Sequence, residues 1–203
     1  YYIRNLEELI KADVLIIPGT KNTMEDLAEL IVDGISEIIQ ELYRKIPVLG
    51  ICGGYQMMGK YIEDPFQVES DRGKERGLGL FDITTRLTKE KTVVQQNFSF
   101  KNHAETCMGY EIHMGELAVP EGKHLNLVDG VPEGYFDGDK SWCTYLHGIL
   151  DNQAVVNELI HIKYKESKAM DYLAFKEAQY EKLADWIDQY LDMETIIKNS
   201  EEA

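Results

Sequence analysis

Over the first sixty positions, short continuous apolar runs alternate with segments whose apolar residues recur at helical spacing. Asp13-Val14-Leu15-Ile16-Ile17-Pro18-Gly19 is one such run, closed by a Pro-Gly turn; Val48 to Ile51, inside a strand expected over Pro47 to Cys52, is another. Runs this short and unbroken predict strands buried on both faces. Between them Leu27, Leu30, Ile31, Ile35, Ile38, Ile39 and Leu42 keep helical spacing. That predicts one amphipathic helix from Met24 to about Arg44, with Thr23 as N-cap and Glu25 and Asp26 in the first turn. A shorter helix is expected over Asn5 to Lys11. Strand, helix, strand and helix in this order are the repeating unit of a parallel α/β sheet.

After Tyr61 the pattern changes. Ile62 to Leu80 mixes charges with Pro65, Gly73, Gly77 and Gly79 and reads as a surface excursion. Ile83 to Thr88, Val93 to Phe100 and Gly109 to Glu116 alternate as strands, so a β-rich section is expected around residues 83–128. Leu125 to Gly138 reads as turns, with Asp-Gly at 129–130 and 137–138. Ser141 to Leu146 predicts a strand that delivers His147-Gly148 at its tip. The remainder is helical: one helix from Asn152 to about Lys163, and a long one from Tyr172 to Leu191 with Phe175, Leu183, Ile187 and Leu191 facing inward.

Composition narrows the function classes. A chain of 203 residues can bury a full core in one domain, and a single domain over 1–203 is expected. The formal net charge of −15 works against a nucleic-acid backbone as partner. The three cysteines, Cys52, Cys107 and Cys143, are widely spaced with no CxxC pair, which fits a reducing cytoplasm better than a disulfide framework or zinc site. No stretch of about 18 apolar residues is present, so no membrane partner is expected. Tyr1-Tyr2-Ile3-Arg4 reads as a cut start, which predicts a longer protein and a sheet whose first strand lies outside this chain.

The densest chemical signal is Gly50-Ile51-Cys52-Gly53-Gly54-Tyr55-Gln56. A free cysteine is more often a small buried apolar group than a reactive one. Packing alone, however, requires neither Gly at both −2 and +2 nor an amide at +4. A nucleophile in a tight strand-to-helix turn requires small neighbours, and the helix N-terminus favours both thiolate and oxyanion. Cys52 is therefore the candidate nucleophile, and it needs a base within hydrogen-bond reach. Of the five histidines, His147 is favoured over His113 because it stands at a strand end followed by Gly. His103, His124 and His161 lie in polar surroundings without a signal. Strand alternation puts Glu111 and His113 on one face, which permits a carboxylate–imidazole pair; a metal there is disfavoured because the two carboxylates and one imidazole of Glu111 to Glu116 do not meet at one ion on a strand. Cys107 and Cys143 are assigned to packing.

Together these residues resemble the class I glutamine amidotransferases, and among them the glutaminase domains of corrinoid amide ligases. The resemblance is carried by Val48 to Gln56, by Pro18-Gly19-Thr20-Lys21-Asn22-Thr23, by Gly77 to Phe81, by Gly109 to Gly115, by Thr144 to Ile149 and by Glu177 to Asp185, in that family's order. It implies a flavodoxin-like three-layer fold with a mostly parallel central sheet. It further implies that Cys52 attacks the side-chain amide of glutamine, that backbone N–H groups near Gly19 and Gly53 hold the oxyanion, that Gln56 helps fix the substrate, and that His147 moves the protons. Ammonia would pass to a synthetase domain of the same longer protein that amidates corrin carboxylates with ATP and Mg²⁺ on the path to adenosylcobalamin. No Gly-x-x-x-x-Gly-Lys-Ser/Thr loop occurs here, so no cofactor is expected in this chain, and ATP and Mg²⁺ are assigned to the absent domain. Most of the family carry Glu two residues after the histidine, where this chain has Ile149; a Cys–His dyad is expected, with Asp151 or Glu111 as substitutes for the missing carboxylate. Competing readings are the glutaminase subunit that amidates a peptidoglycan lipid precursor, and a catalytically degenerate docking domain.

Overall fold

The computed structural model describes residues 6–101, 103–117 and 119–201. Asn5, the start expected for the first helix, lies outside them. The chain divides into two compact units, Tyr1–Leu150 and Asp151–Ala203.

The first unit begins with α1 (Leu6–Leu9), β1 (Leu15–Ile17), α2 (Thr23–Val32), α3 (Ile35–Tyr43), β2 (Val48–Ile51) and α4 (Gly53–Met58). The apolar spacing that predicts one helix from 24 to 44 runs through a break at Asp33-Gly34. Gly34 has φ +70°, a left-handed conformation that ends α2 and turns the chain into α3 while both helices keep their apolar stripes on one core. The cap of α2 is Asn22, whose side chain accepts from the N–H of Glu25 at 3.3 Å. Thr23, expected in that role, is instead the first helical residue, and it is buried with its hydroxyl turned to Gln56.

Two sheets follow. In the first, β1 and β2 are parallel, β2 is parallel to β10 (Trp142–Thr144), and β9 (Tyr135–Phe136) closes the edge antiparallel to β10. With parallel neighbours on both sides, β2 has Val48 and Leu49 fully buried, as its unbroken apolar run predicts. Met24, Leu27, Tyr55 and Met58 pack around it from α2 and α4. Each buried side chain of this size contributes about 1.5–3 kcal/mol.

The second sheet is dominated by the pairing of β5 (Thr84–Phe100) with β6 (Thr106–Leu117). The two strands predicted at 83–88 and 93–100 are one, interrupted only by a register shift between Leu87 and Thr92. The segment 62–80 is structured too, correcting the surface excursion: β3 (Tyr61–Glu63) and β4 (Lys74–Arg76) pair with each other, and β3 runs parallel to β5. Buried Asp64 holds the loop between them by accepting from the N–H groups of Val68, Glu69 and Ser70. Leu125 to Gly138, expected as turns alone, contains β7 (Asn126–Val128) and β8 (Val131–Glu133) besides β9. Asp129 and Gly130, both at positive φ, form the two-residue turn of the β7–β8 hairpin. After β10 the chain crosses between sheets, and β11 (Leu146–His147) pairs antiparallel with β6. His147 thus stands on a separate two-residue strand rather than at the tip of the parallel one.

A single 3-10 turn (Ile149–Asp151) spans the boundary, and the second unit holds α5 (Gln153–His161), α6 (Tyr172–Tyr190) and α7 (Met193–Glu201). Asp171 caps α6 through the N–H of Ala174 at 3.0 Å. The inward face expected on α6 is not observed. Phe175, Leu183 and Leu191 are exposed, and α6 has no buried residue. Its apolar residues keep helical spacing, but spacing fixes which face they share, not whether that face is covered. Among the described residues no helix is long and apolar enough to cross a membrane.

Candidate active site

The turn between β2 and α4 is a strained elbow. Cys52 has φ +53° and ψ −108°, a conformation uncommon for a side-chain-bearing residue and concentrated at functional sites. It is held there from both sides. The Cys52 N–H donates to the carbonyl of Thr144 on β10 at 2.9 Å, and the Cys52 carbonyl accepts from Gln56 N–H at 3.1 Å. Glycine is required around it for space. A Cβ on Gly53 would meet Thr20 Cγ2 at 2.7 Å and Thr20 N at 3.0 Å, while one on Gly50 would meet the Gly54 backbone at 2.9 Å. A Cβ on Gly54 would overlap the carbonyl oxygen of Ile17. The glycine pattern of the sequence is thus the condition for α4 to press against β1 and the loop after it.

That loop brings Gly19 over the elbow. A Cβ on Gly19 would stand 3.3 Å from Cys52 Cβ and 3.4 Å from His147 Cε1, so the three residues meet at one place. Gly19, Thr20, Lys21, Cys52, Tyr110, Ile112 and His147 line a cavity of about 390 Å³. The His147 ring stacks on Tyr110 with centroids 5.1 Å apart and planes 11° from parallel. Its Nε2 is buried without a hydrogen-bond partner. An orphaned ring nitrogen beside a cysteine is costly in a purely structural setting and is what a base awaiting a proton looks like. In this resting arrangement the Cys52 thiol donates to the carbonyl of Ile112 at 3.4 Å.

Burial is the largest influence on both groups. It pushes the Cys52 thiol up; the Gly53 N–H opposes this, and the Glu69 charge adds to it. Burial also lowers His147, and the charge of His113 lowers it further. Both shifts favour the neutral thiol and the neutral imidazole over an ion pair.

The other predicted residues take different places. Gln56 does not line the cavity, contrary to a direct hold on substrate: it is buried, its Oε1 accepting from the Thr23 hydroxyl at 3.0 Å and its Nε2 donating to Tyr145 at 3.4 Å. Gly53 lies beneath the elbow, with its N–H directed to the Cys52 sulfur. Glu111 and His113 do form the pair that strand alternation permits, Oε2 to Nε2 at 2.9 Å, and His113 stacks on Tyr145 at 3.7 Å. The second Glu111 oxygen accepts from Gln96 at 2.7 Å, so both carboxylate oxygens have partners other than His147. Asp151 belongs to the second unit and faces Lys176 at 3.7 Å. Ile149, where relatives of the resembling family have Glu, is fully buried. Among the described residues no group of three or more His, Cys, Asp or Glu could hold a metal ion. Cys107 and Cys143 are buried, as packing residues should be.

Several contributors were not visible in the sequence. Tyr110 and Ile112 line the cavity because the outer face of β6 happens to meet it; alternation reveals two faces but not which one is used. Glu69, in the segment read as a surface excursion, accepts from Thr23 N–H at 2.8 Å and fixes the start of α2. Half-buried Glu133 accepts from Thr144 Oγ1 and Tyr145 N–H, each at 2.7 Å, and so anchors the crossing just before His147. Neither acidic residue carries a local motif.

Comparison with known proteins gives this arrangement a family. One structural neighbour, a crystal structure of a glutamine amidotransferase, superposes with a TM-score of 0.58 at 18% identity, covering 79% of this chain and 84% of that one. The class I glutamine amidotransferase fold is thereby shown. Cobyric acid synthases are similar in sequence. That of Phocaeicola vulgatus is 42% identical over 95% of this chain and 40% of its own length. That of Bacteroides fragilis is 42% identical over 97% and 41%, and that of Clostridium botulinum 40% identical over 96% and 43%. The chain spans about two-fifths of the length of these curated relatives. Residues 1–155 match the model of the CobB/CobQ-like glutamine amidotransferase domain, and the chain belongs to that family.

Proposed function

We propose that this chain hydrolyses glutamine at Cys52 and His147 and supplies the ammonia to a synthetase that amidates corrin carboxylates. The observation that carries the chemistry is the strained Cys52 sharing a cavity with an imidazole whose buried Nε2 lacks a partner. Cys52 Sγ attacks the carbonyl carbon of the glutamine side-chain amide as its proton passes to His147. The oxyanion accepts from backbone N–H groups at Gly53 and in the loop after Gly19, where developing charge gains most. The C–N bond breaks as His147 returns the proton to the departing ammonia, leaving a glutamyl thioester. His147 then takes a proton from water, whose oxygen attacks the thioester, and glutamate leaves with the thiol restored. Stacking on Tyr110 supplies the ring orientation that a carboxylate gives in a triad, which supports a Cys–His dyad.

The 42% identity to cobyric acid synthases supports corrin carboxylates, rather than a lipid precursor, as the final acceptor. On this reading both units form one glutaminase domain, and the ATP- and Mg²⁺-dependent step belongs to sequence outside this chain. Three free thiols suit a reducing cytoplasm.

The pH profile tests the assigned base. His147 must be neutral to accept the thiol proton, and its folded value lies below the ordinary 6.5. Glutamine hydrolysis should therefore persist as pH falls through 6.5 and fail only below it. His113→Gln removes one of the two lowering causes, so the acid limb of kcat/KM should move to higher pH. An acid limb that His113→Gln leaves in place would separate the activity from His147.

A further inference from the structure

One carboxylate ties the backbone that anchors the nucleophile to the strand that carries the base. Glu133 ends β8, and the chain turns at Gly134 (φ +70°) directly against β10. A Cβ on Gly134 would meet the Cys143 carbonyl oxygen at 2.6 Å and stand 3.5 Å from Thr144 Cα. This close approach brings the Glu133 side chain to the point where the chain leaves β10 for the second sheet. Its Oε2 accepts from Thr144 Oγ1 and from the Asn126 amide, each at 2.7 Å, and its Oε1 accepts from Tyr145 N–H at 2.7 Å. Thr144 carries the hold in both directions. Its carbonyl accepts the Cys52 N–H at 2.9 Å, and its Oγ1 accepts the N–H of Leu146, the residue before His147, at 3.0 Å. Thr144 and Asn126 are fully buried, so bulk water does not replace a partner lost there.

Three donors meeting two oxygens specify the chemistry of position 133. An ionised carboxylate is acceptor-only at both oxygens and suits all three. A glutamine offers one acceptor and one NH₂ group, so either orientation sets donor against donor, at Tyr145 N–H or at the Asn126 amide. Glu133 does not line the cavity. We propose that Glu133 is a positioning residue for glutamine hydrolysis, holding the Cys52 elbow and the His147 strand in one fixed relation through Thr144 and Tyr145. Cys52 sits at a strained φ of +53°, and His147 stands on a strand of two residues, so neither element fixes its catalytic side chain by itself. What Glu133 supplies is the sulfur-to-imidazole geometry, where a misplacement of about 1 Å costs roughly 100-fold in rate. The inference rests on the glutaminase reading and adds to it a residue that acts on kcat from outside the cavity.

The test follows ammonia release from L-glutamine in the unsubstituted protein and in Glu133→Gln, with thermal unfolding recorded for each. Glu133→Gln should lower kcat roughly 10–100-fold while KM stays within about twofold, the split expected when geometry is lost and binding is kept. Thr144→Val removes the hydroxyl that Glu133 holds and should lower kcat in the same way, whereas Thr144→Ser keeps it and should restore most of the rate. The double variant Glu133→Gln/Thr144→Val should fall little below Glu133→Gln alone, because both changes break one network. Gly34→Ala is the control for stability: it strains a turn with nothing within 4 Å of its Cβ, and it should lower the unfolding midpoint without moving kcat. If Glu133→Gln does not fold, the contrast between Thr144→Val and Thr144→Ser decides. A kcat within twofold of the unsubstituted protein in the folded variants, a loss carried by KM, or an equal kcat loss in Gly34→Ala overturns the role of Glu133 and leaves the Cys–His reading intact. If the unsubstituted protein releases no ammonia from glutamine, the glutaminase reading itself falls, and this inference with it.

Discussion

Cys52→Ser should lower glutamine hydrolysis by about a thousandfold or more while leaving the fold intact. The hydroxyl occupies nearly the same space at a backbone position of φ +53°, and both backbone hydrogen bonds that hold the elbow remain available. What changes is the chemistry. A hydroxyl gives up its proton far less readily than a thiol, and the base assigned to receive it has a lowered affinity for protons through burial and the His113 charge. The mismatch that the thiol tolerates becomes prohibitive for the alcohol, because proton transfer and attack must occur together. Glutamate release measured against thermal unfolding checks both halves. Stability should move by no more than about 0.5 kcal/mol, as for substitutions that create neither cavity nor strain. Retention of more than a tenth of the activity would remove Cys52 from the nucleophile role.

The largest effect on stability should come from Gly54→Ala. One added methyl overlaps the carbonyl oxygen of Ile17, and both atoms belong to backbone that has no rotamer to change. Strand β1 and helix α4 must separate, in a region where Leu49, Met58 and Met24 are fully buried. Overpacking of this kind costs about 1–3 kcal/mol, with rigid backbone on both sides favouring the upper end. Gly34→Ala is the useful comparison. Nothing lies within 4 Å of its Cβ, so only the left-handed φ of +70° is penalised, at about 1–2 kcal/mol. Urea unfolding of the two variants should rank Gly54→Ala as the more destabilised. Because β1 leads directly into Gly19, Gly54→Ala should also reduce glutamine hydrolysis in the fraction that remains folded.

These two expectations mark what the sequence makes legible. The elbow can be read because its chemistry and its sterics fall on adjacent residues: Cys52 needs a tight turn, and Gly50, Gly53 and Gly54 are small because backbone passes against them. The buried strand β2 can be read because two parallel neighbours leave it no polar face. The helix break at Gly34 is harder to see, since Ile31, Ile35, Ile38 and Ile39 keep their spacing across it. The exposure of Phe175, Leu183 and Leu191 on α6 is invisible to periodicity, which defines a face without supplying its cover. Tertiary contacts over long separations are not legible at all. Glu69 reaches Thr23 across 46 positions, and Gln56 meets Tyr145 across 89, each through side chains that carry no local signature. That is why Gln56 reads as a substrate contact and is found instead bracing Thr23 and Tyr145 beneath the cavity.

The most direct test is covalent. A glutamine-mimicking diazo-ketone reacts with a thiol only where a nucleophile, a proton-transfer partner and an amide-binding pocket coincide. Incubation followed by peptide mass spectrometry should place a single adduct on Cys52, with L-glutamine protecting it and the buried Cys107 and Cys143 left unmodified. Glutamine hydrolysis that continues with Cys52 unlabelled, or an adduct that glutamine does not prevent, would contradict the account.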